Sequence, residues 1–247
     1  MKQLYLFIFL TQVTCFIGKT NVSAQNIATD SSNNQVAFYK AVGFYHQSLK
    51  PEAGLYNGMQ YRPYDQTLKE GYPYFEYPIP VEGSVVYNNM LYEHLALQFD
   101  IVIEKLILTE PTHSYTIQLN NDRLASFTLQ NHHFIRLDGD SLEDAGLKAG
   151  FYELLYDGKT KLYKKQVKGI QEKLTTEVEK YITEATDYYV YKNGKYYTAN
   201  QKSSLLKVLA DHKKEVSQFI RKNKIKIRKN QDSSLAQVLG LYDQVSP

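Results

Sequence analysis

The sequence predicts a mainly β (α+β) protein: a curved antiparallel sheet or partial barrel built from hairpins, with a short N-terminal helix and two short C-terminal helices. Three observations carry this expectation. Turn-forming pairs recur between tyrosine-bearing segments, at Asn57-Gly58, Asn88-Asn89, Asp157-Gly158 and Asn193-Gly194. Such pairs accept the positive φ of tight hairpin turns, and the flanking tyrosines can pair across the two strands. Leu91, Leu95, Leu97, Phe99 and Ile101 fall on one face, with Tyr92, His94, Gln98 and Asp100 on the other. That period of two marks a long strand with one buried face. After Ala199 the apolar spacing turns helical.

The elements follow in chain order. Val36, Phe38, Tyr39 and Val42 suit a short amphipathic helix between Gln35 and Tyr45. Leu55 to Tyr61 reads as the first hairpin. The stretch from Tyr72-Pro73 to Pro78-Ile79-Pro80 reads as a connector or edge, because proline cannot donate to a ladder. Val86 to Tyr92 is the second hairpin and leads into the long strand. Residues 106–108, 115–119, 124–129 and 133–137 continue as strands, with turns at Asn120-Asn121-Asp122 and Gln130-Asn131. Asp138 to Gly150 is a surface loop, and 151–156, 161–167 and 188–191 resume the sheet. The hairpin signals are unequally spaced, which argues against a repeat or propeller. Ser203 can cap a helix carrying Leu205, Val208, Leu209, His212, Val216, Phe219 and Ile220. A short Ile225-Lys226-Ile227 element follows. Asp232 or Ser233 can cap a last helix with Leu235, Val238, Leu239 and Tyr242 inward.

The first residues have the order of a secretory signal: Lys2, an apolar run from Leu4 to Ile17, then Val22-Ser23-Ala24. Cleavage is expected after Ala24. Thr11, Gln12 and Thr14 interrupt the run, which is short for a hydrocarbon core of about 30 Å. Gln12-Val13-Thr14 before Cys15 lacks the leucine and small residues of lipoprotein processing. Cys15 is the single cysteine, so the expected mature chain has neither disulfide nor thiolate chemistry. The expected organisation is a signal peptide over 1–24, a disordered tail over 25–34, an antiparallel β body over 35–199 and a basic helical appendage over 200–247. The expected location is periplasmic, outer-membrane-associated or extracellular, and not membrane-spanning.

The net charge of +3 hides an asymmetry. From Tyr188 onward 12 Lys and Arg face 4 acids, while Gln25 to Asp187 holds 15 against 22. A basic end on an acidic body suits an anionic partner, or simply docking of the helices on the body.

The phrases Leu55-Tyr56-Asn57-Gly58, Gly83-Ser84-Val85-Val86-Tyr87 with Leu91-Tyr92, and Phe151-Tyr152 with Leu155-Tyr156-Asp157-Gly158 resemble a family of uncharacterised exported β-rich proteins from Bacteroidota. The resemblance continues through Tyr188-Tyr189-Val190-Tyr191, Asn193-Gly194, Ser204-Leu205-Leu206 and Phe219-Ile220-Arg221-Lys222-Asn223-Lys224. It implies kinship over nearly the whole mature chain and no activity.

No catalytic motif is present. His132-His133 is a local oddity, yet adjacent strand residues point to opposite faces, so the pair cannot readily share a metal. Asp138 lies near enough in sequence to join either histidine. The loop holding Asp138, Asp140, Glu143 and Asp144 lacks the calcium-loop spacing. No metal ligand set and no cofactor is expected. Tyr56, Tyr61, Tyr87 and Tyr92 are candidates for an aromatic binding surface, against packing within the hairpins. Lys213, Lys214, Arg221, Lys222, Arg228 and Lys229 form a candidate patch for an anionic partner. Nucleic acid is not expected for an exported chain. The sequence therefore favours a non-catalytic envelope protein that binds a protein, lipid or glycan. The alternatives are a hydrolase of envelope polymers, or a structural subunit that assembles through its basic helices.

Overall fold

Left-handed turn residues set up a meander of hairpins. The computed structural model describes residues 40, 54–64, 68–110, 115–139, 142, 146–174, 178–227 and 231–246. Asn88 and Asn89, at φ 51° and 60°, join β2 (Val81–Tyr87) to β3 (Met90–Asp100). Asn193 and Gly194, at 51° and 79°, join β10 (Val178–Lys192) to β11 (Lys195–Thr198). Gln130, at 52°, joins β6 (Leu124–Leu129) to β7 (His132–Leu137), and Asp157-Gly158 begins the turn from β8 (Gly150–Asp157) to β9 (Lys161–Leu174). With β1 (Met59–Gln60), β4 (Lys105–Thr109) and β5 (Thr116–Gln118), these strands form one sheet of 11 in the order β1-β5-β4-β3-β2-β6-β7-β8-β9-β10-β11. Every named pair is antiparallel.

Asn57-Gly58 is not a hairpin turn. It leads from a 3-10 turn, Gly54–Tyr56, into β1, which pairs with the distant β5. A Cβ on Gly58 would lie 2.5 Å from the Gln118 carbonyl oxygen, so the glycine serves strand approach and not reversal.

The sheet is open but rolled. β9 stands five places from β3, about 24 Å away if the sheet were flat. Instead the Lys168 N–H lies 3.5 Å from the Ile101 carbonyl oxygen, just past the end of β3. On the inner face Phe127, Phe134, Glu153, Lys164 and Tyr188 are successive cross-strand partners. At one end of this row Phe127 stacks on Phe134 at 4.7 Å, with the edges of Phe99 and Phe151 at 5.0 and 5.2 Å. At the other end Leu162 and Val190 meet three helices, α1 (Lys202–Val208), α2 (Lys213–Lys222) and α3 (Gln231–Val245). Leu205, Val216, Ile220, Leu235, Val238 and Leu239 are buried against them. Outside, Leu142 and Leu147 cover Tyr152 and Tyr163.

Four expectations change. The helix expected from Leu205 to Ile220 is two helices, parted by a turn at Ala210–His212. There the Lys192 ammonium donates to the Val208 carbonyl oxygen at 3.0 Å and to Asp211 at 2.9 Å, anchoring the bend to the sheet. The alternation in β3 breaks at His94, φ 57°, where Tyr92 and Leu95 face Val85 and Gly83 across a bulge. The extra residue turns Tyr92 into the core and leaves Leu91 half-buried. The strands expected over 161–167 and 188–191 belong to one hairpin of 14 and 15 residues. The tyrosines expected to pair around Asn57-Gly58 do not, as above. The signal peptide expected over 1–24, the tail over 25–34 and the helix near Gln35–Tyr45 lie outside the described residues, apart from a helical Lys40.

Asp211 makes the docking of α2 acid-sensitive. Burial raises its pKa, but the Tyr242 hydroxyl and Lys192 ammonium outweigh that and hold it at about 2. A folded value below the unfolded value of about 3.9 means the stabilisation is complete above that pH and is lost as pH falls through about 2. The advantage of the native protein over Asp211→Asn, read from urea midpoints, is expected to stay level from about pH 7 to 5 and to shrink below about pH 4.

Candidate functional site

The inner row carries one cluster of ionisable groups at the seam between the phenylalanine core and the helices. Glu153, on β8, lies between His132 of β7 and Lys164 of β9. Its Oε1 is 2.6 Å from His132 Nδ1, and its Oε2 is 3.2 Å from Lys164 Nζ. Glu76, from the segment after Phe75, reaches the other ring nitrogen at 3.1 Å from a left-handed φ of 42°. Asp232, in the first turn of α3, takes Lys164 Nζ at 3.0 Å and the Tyr188 hydroxyl. The Phe75 ring packs edge-on against His132, centroids 5.0 Å apart. Burial opposes the charge of Lys164, and Glu153 and Asp232 more than offset it, so its pKa lies above the ordinary lysine value. Burial, then Asp232, likewise raises the Tyr188 phenol.

A histidine, three carboxylates and a lysine are the ingredients of acid–base chemistry. Their geometry makes them a bolt. Both imidazole nitrogens face carboxylates, Lys164 spans two more contacts, and each Asp232 oxygen is engaged. The Glu153 side chain is only 6% exposed. His132, Glu153 and Lys164 form the inner part of the cluster, Glu76 and Asp232 at its edges are 39% and 45% exposed, and the contacts of these five residues tie five separate segments together.

Two further buried sites have the same character. Asp100 is sealed, and accepts from Tyr61 Oη at 2.9 Å, Tyr64 Oη at 3.3 Å and the N–H groups of Val102 and Ile103. Burial, then the hydroxyl of Tyr74 and the charge of Asp100, raises the Tyr61 pKa far above the phenol range. On the outer face Lys165 pairs with Glu104, donates to the Phe151 carbonyl oxygen at 3.0 Å and sits 4.8 Å from the Tyr152 ring centre. Burial lowers its pKa despite Glu104, but its ammonium is fully engaged.

The residues singled out from sequence are dispersed. His132 belongs to the bolt, whereas His133 lies on the opposite face of β7. Asp138 pairs with Arg136 at 3.2 Å, and Arg136 also reaches Asp122. Tyr61, Tyr87 and Tyr92 are buried and Tyr56 is half-buried, so their rings pack and form no exposed platform. Lys213, Lys214, Arg221 and Lys222 are exposed on α2, while Arg228 and Lys229 lie outside the described residues. Among the described residues no group of three His, Cys, Asp or Glu side chains gathers to hold a metal. No helix among them is long and apolar enough to cross a membrane. Glu76, Glu153, Lys164 and Asp232 were not singled out from sequence. One signal was available: Glu153 is the lone acid in the apolar run Phe151-Tyr152-Glu153-Leu154-Leu155, at an inward position.

One feature runs on past the neighbouring strands of the sheet. β8 pairs with β9 only as far as Lys164, and β11 reaches β10 only from Tyr189. Between and beyond, ten pairs from Lys165/Asp187 to Leu174/Val178 run on as a two-stranded arm, about 34 Å long. Residues 69–74 strap most of its length: Lys69 N–H donates to the Lys180 carbonyl oxygen at 2.9 Å, and Lys168 Nζ to the Tyr74 carbonyl oxygen at 2.6 Å. Gly71, at φ 85°, lies so close to Ile182 that a Cβ would come within 2.9 Å. Past Lys173 and Glu179 the described residues show no strap contact. There Leu174 and Val178 face each other directly.

Comparison of the chain with protein-family models, with curated proteins and with solved structures returns no match.

Proposed function

We propose that this protein is an exported, non-catalytic interaction module that engages a protein partner through the tip of the β9–β10 arm; kinship with the exported Bacteroidota family belongs to the same proposal. The observation that carries the reading is the exposed apolar pair at the arm's end. Leu174 is 81% exposed and Val178 57%, on the same face as the Ile170–Ile182 pair. The arm itself is held by opposed charges across its strands, Glu172 with Lys180 at 2.8 Å and Lys168 with Glu184 at 3.1 Å. It needs no apolar contact at its tip for its own pairing. Two apolar side chains presented to water on a projecting ladder are the kind of surface that marks protein contact. The filled inner face supports the same reading, since helices occupy the space a ligand cavity would need. The self-contained bolt around Glu153 speaks against the hydrolase alternative.

The test is a photo-crosslinking residue at position 174 or, as control, at exposed Lys195, in the cells that produce the protein. The expected result is a discrete adduct with another polypeptide from position 174 only, lost with Val178→Asp. No adduct, or the same adducts from both positions, overturns the reading, and an adduct of twice the chain's mass assigns self-assembly instead. Leu174→Asp is expected to leave urea stability within about 0.5 kcal/mol of the native value, because the position is exposed.

A further inference from the structure

The helical end sorts its charges. Three of its four acids face the sheet: Asp211 pairs with Lys192, Asp232 with Lys164, and Asp243 accepts from Thr160 N–H and Oγ1 at 3.0 and 2.9 Å. In each case the helices bring the acid and the sheet the donor, and Asp232 with Lys164 reverses what the charge count of the two halves suggests. The cations of the helical end are left outward. Lys202, Lys207, Lys214, Arg221, Lys222 and Lys226 are exposed and make no ion pair among the described residues. On α2 the only outward acid is Glu215. This face is therefore more positive than the sequence of the segment implies.

It is also not smooth. One depression of about 510 Å³ has Phe219 and Leu241 as its apolar lining, with Arg221 and Lys222 beside Glu215 and Gln218 around them. A second, of about 600 Å³, is floored by Leu206, Ile225 and Ile227 and rimmed by Lys202 and Lys226. Apolar floors below cationic rims receive side chains; they do not project any. A lipid surface is met by apolar side chains that stand out from a basic face. A peptide with anionic residues spaced between apolar ones instead brings both complements, its acids to the rims and its apolar side chains to the floors.

We propose that the α1–α2 face is a docking surface for an acidic peptide segment of a partner protein, anchored by apolar side chains in these two depressions and steered by the unpaired cations. The surface is separate from the arm, and the proposal stands whether or not the arm binds.

The experiment measures fluorescence anisotropy of a fluorescein-labelled peptide of alternating Asp and Leu or Phe with the whole protein. Three comparisons accompany it: the same peptide with Ser at each apolar position, the same peptide with Lys at each acid, and co-sedimentation with phosphatidylglycerol vesicles. Saturable binding is expected for the acidic apolar peptide alone, weakening as salt screens the rims. Lys214→Glu with Lys222→Glu, both exposed, is expected to weaken it about tenfold while the thermal midpoint holds. Leu174→Asp is expected to change nothing, which separates this surface from the arm. Failure of the acidic apolar peptide to bind overturns the proposal. So does equal binding of the Ser peptide, or equal binding by the charge-reversed variant. Vesicle binding without peptide binding overturns it in favour of an anionic membrane.

Discussion

Phe127→Ala is expected to lower the unfolding free energy by about 3–5 kcal/mol, the range for emptying a buried aromatic site. Phe127 is 1% exposed and stands at the centre of the phenylalanine group, stacked on Phe134 and met edge-on by Phe99 and Phe151. These neighbours come from β3, β7 and β8, whose backbones are held by ladders on both sides. The hole therefore cannot close by a small shift, and the cavity term adds to the lost transfer energy. Phe127→Leu keeps most of the volume and is expected to cost roughly half as much. Urea denaturation checks both. A loss below about 1 kcal/mol for Phe127→Ala would mean that the rolled sheet is not closed over these rings.

Lys164→Met is expected to cost about 3 kcal/mol, for a different reason. It leaves the Glu153 carboxylate, 6% exposed, with His132 alone, and it leaves half-exposed Asp232 on α3 with the Tyr188 hydroxyl only. Removing one partner of a buried pair leaves a charge without compensation. Adding Glu153→Leu removes that charge, so the double variant is expected to recover much of the loss. A double-mutant cycle measures the coupling, and a value near zero would show that Glu153 and Lys164 do not act as a pair.

Much of the architecture was legible because local chemistry specifies it. Asn88-Asn89, Asp157-Gly158 and Asn193-Gly194 turn the chain where such pairs favour reversal. The helical faces of Leu205, Val216, Ile220, Leu235 and Val238 are buried as their spacing requires. Asn57-Gly58 shows the limit: the same dipeptide serves close strand approach when a distant partner lies alongside. The bulge at His94 was invisible for a related reason, since one inserted residue shifts the phase without changing composition.

The arm escaped because its strands do not alternate apolar with polar. Residues 168–187 read as a charged stretch, and no Gly or Asn stands between Leu174 and Val178 to announce a hairpin. The signal was pairwise, in Glu172 opposite Lys180 and Lys168 opposite Glu184, and it appears only once the register is known. The bolt was hidden more deeply, as Glu76, His132, Glu153, Lys164 and Asp232 come from five stretches of chain.

By itself the sequence determined that this is a β-hairpin protein with a basic helical end, because turn preference and apolar period act over a few residues. Only the tertiary structure decided that the sheet rolls up, that helices fill its inner face and that an arm projects beyond it. It also decided which way each charge faces. Those outcomes depend on partners far apart in the chain, whose meeting is set by packing and desolvation over the whole fold.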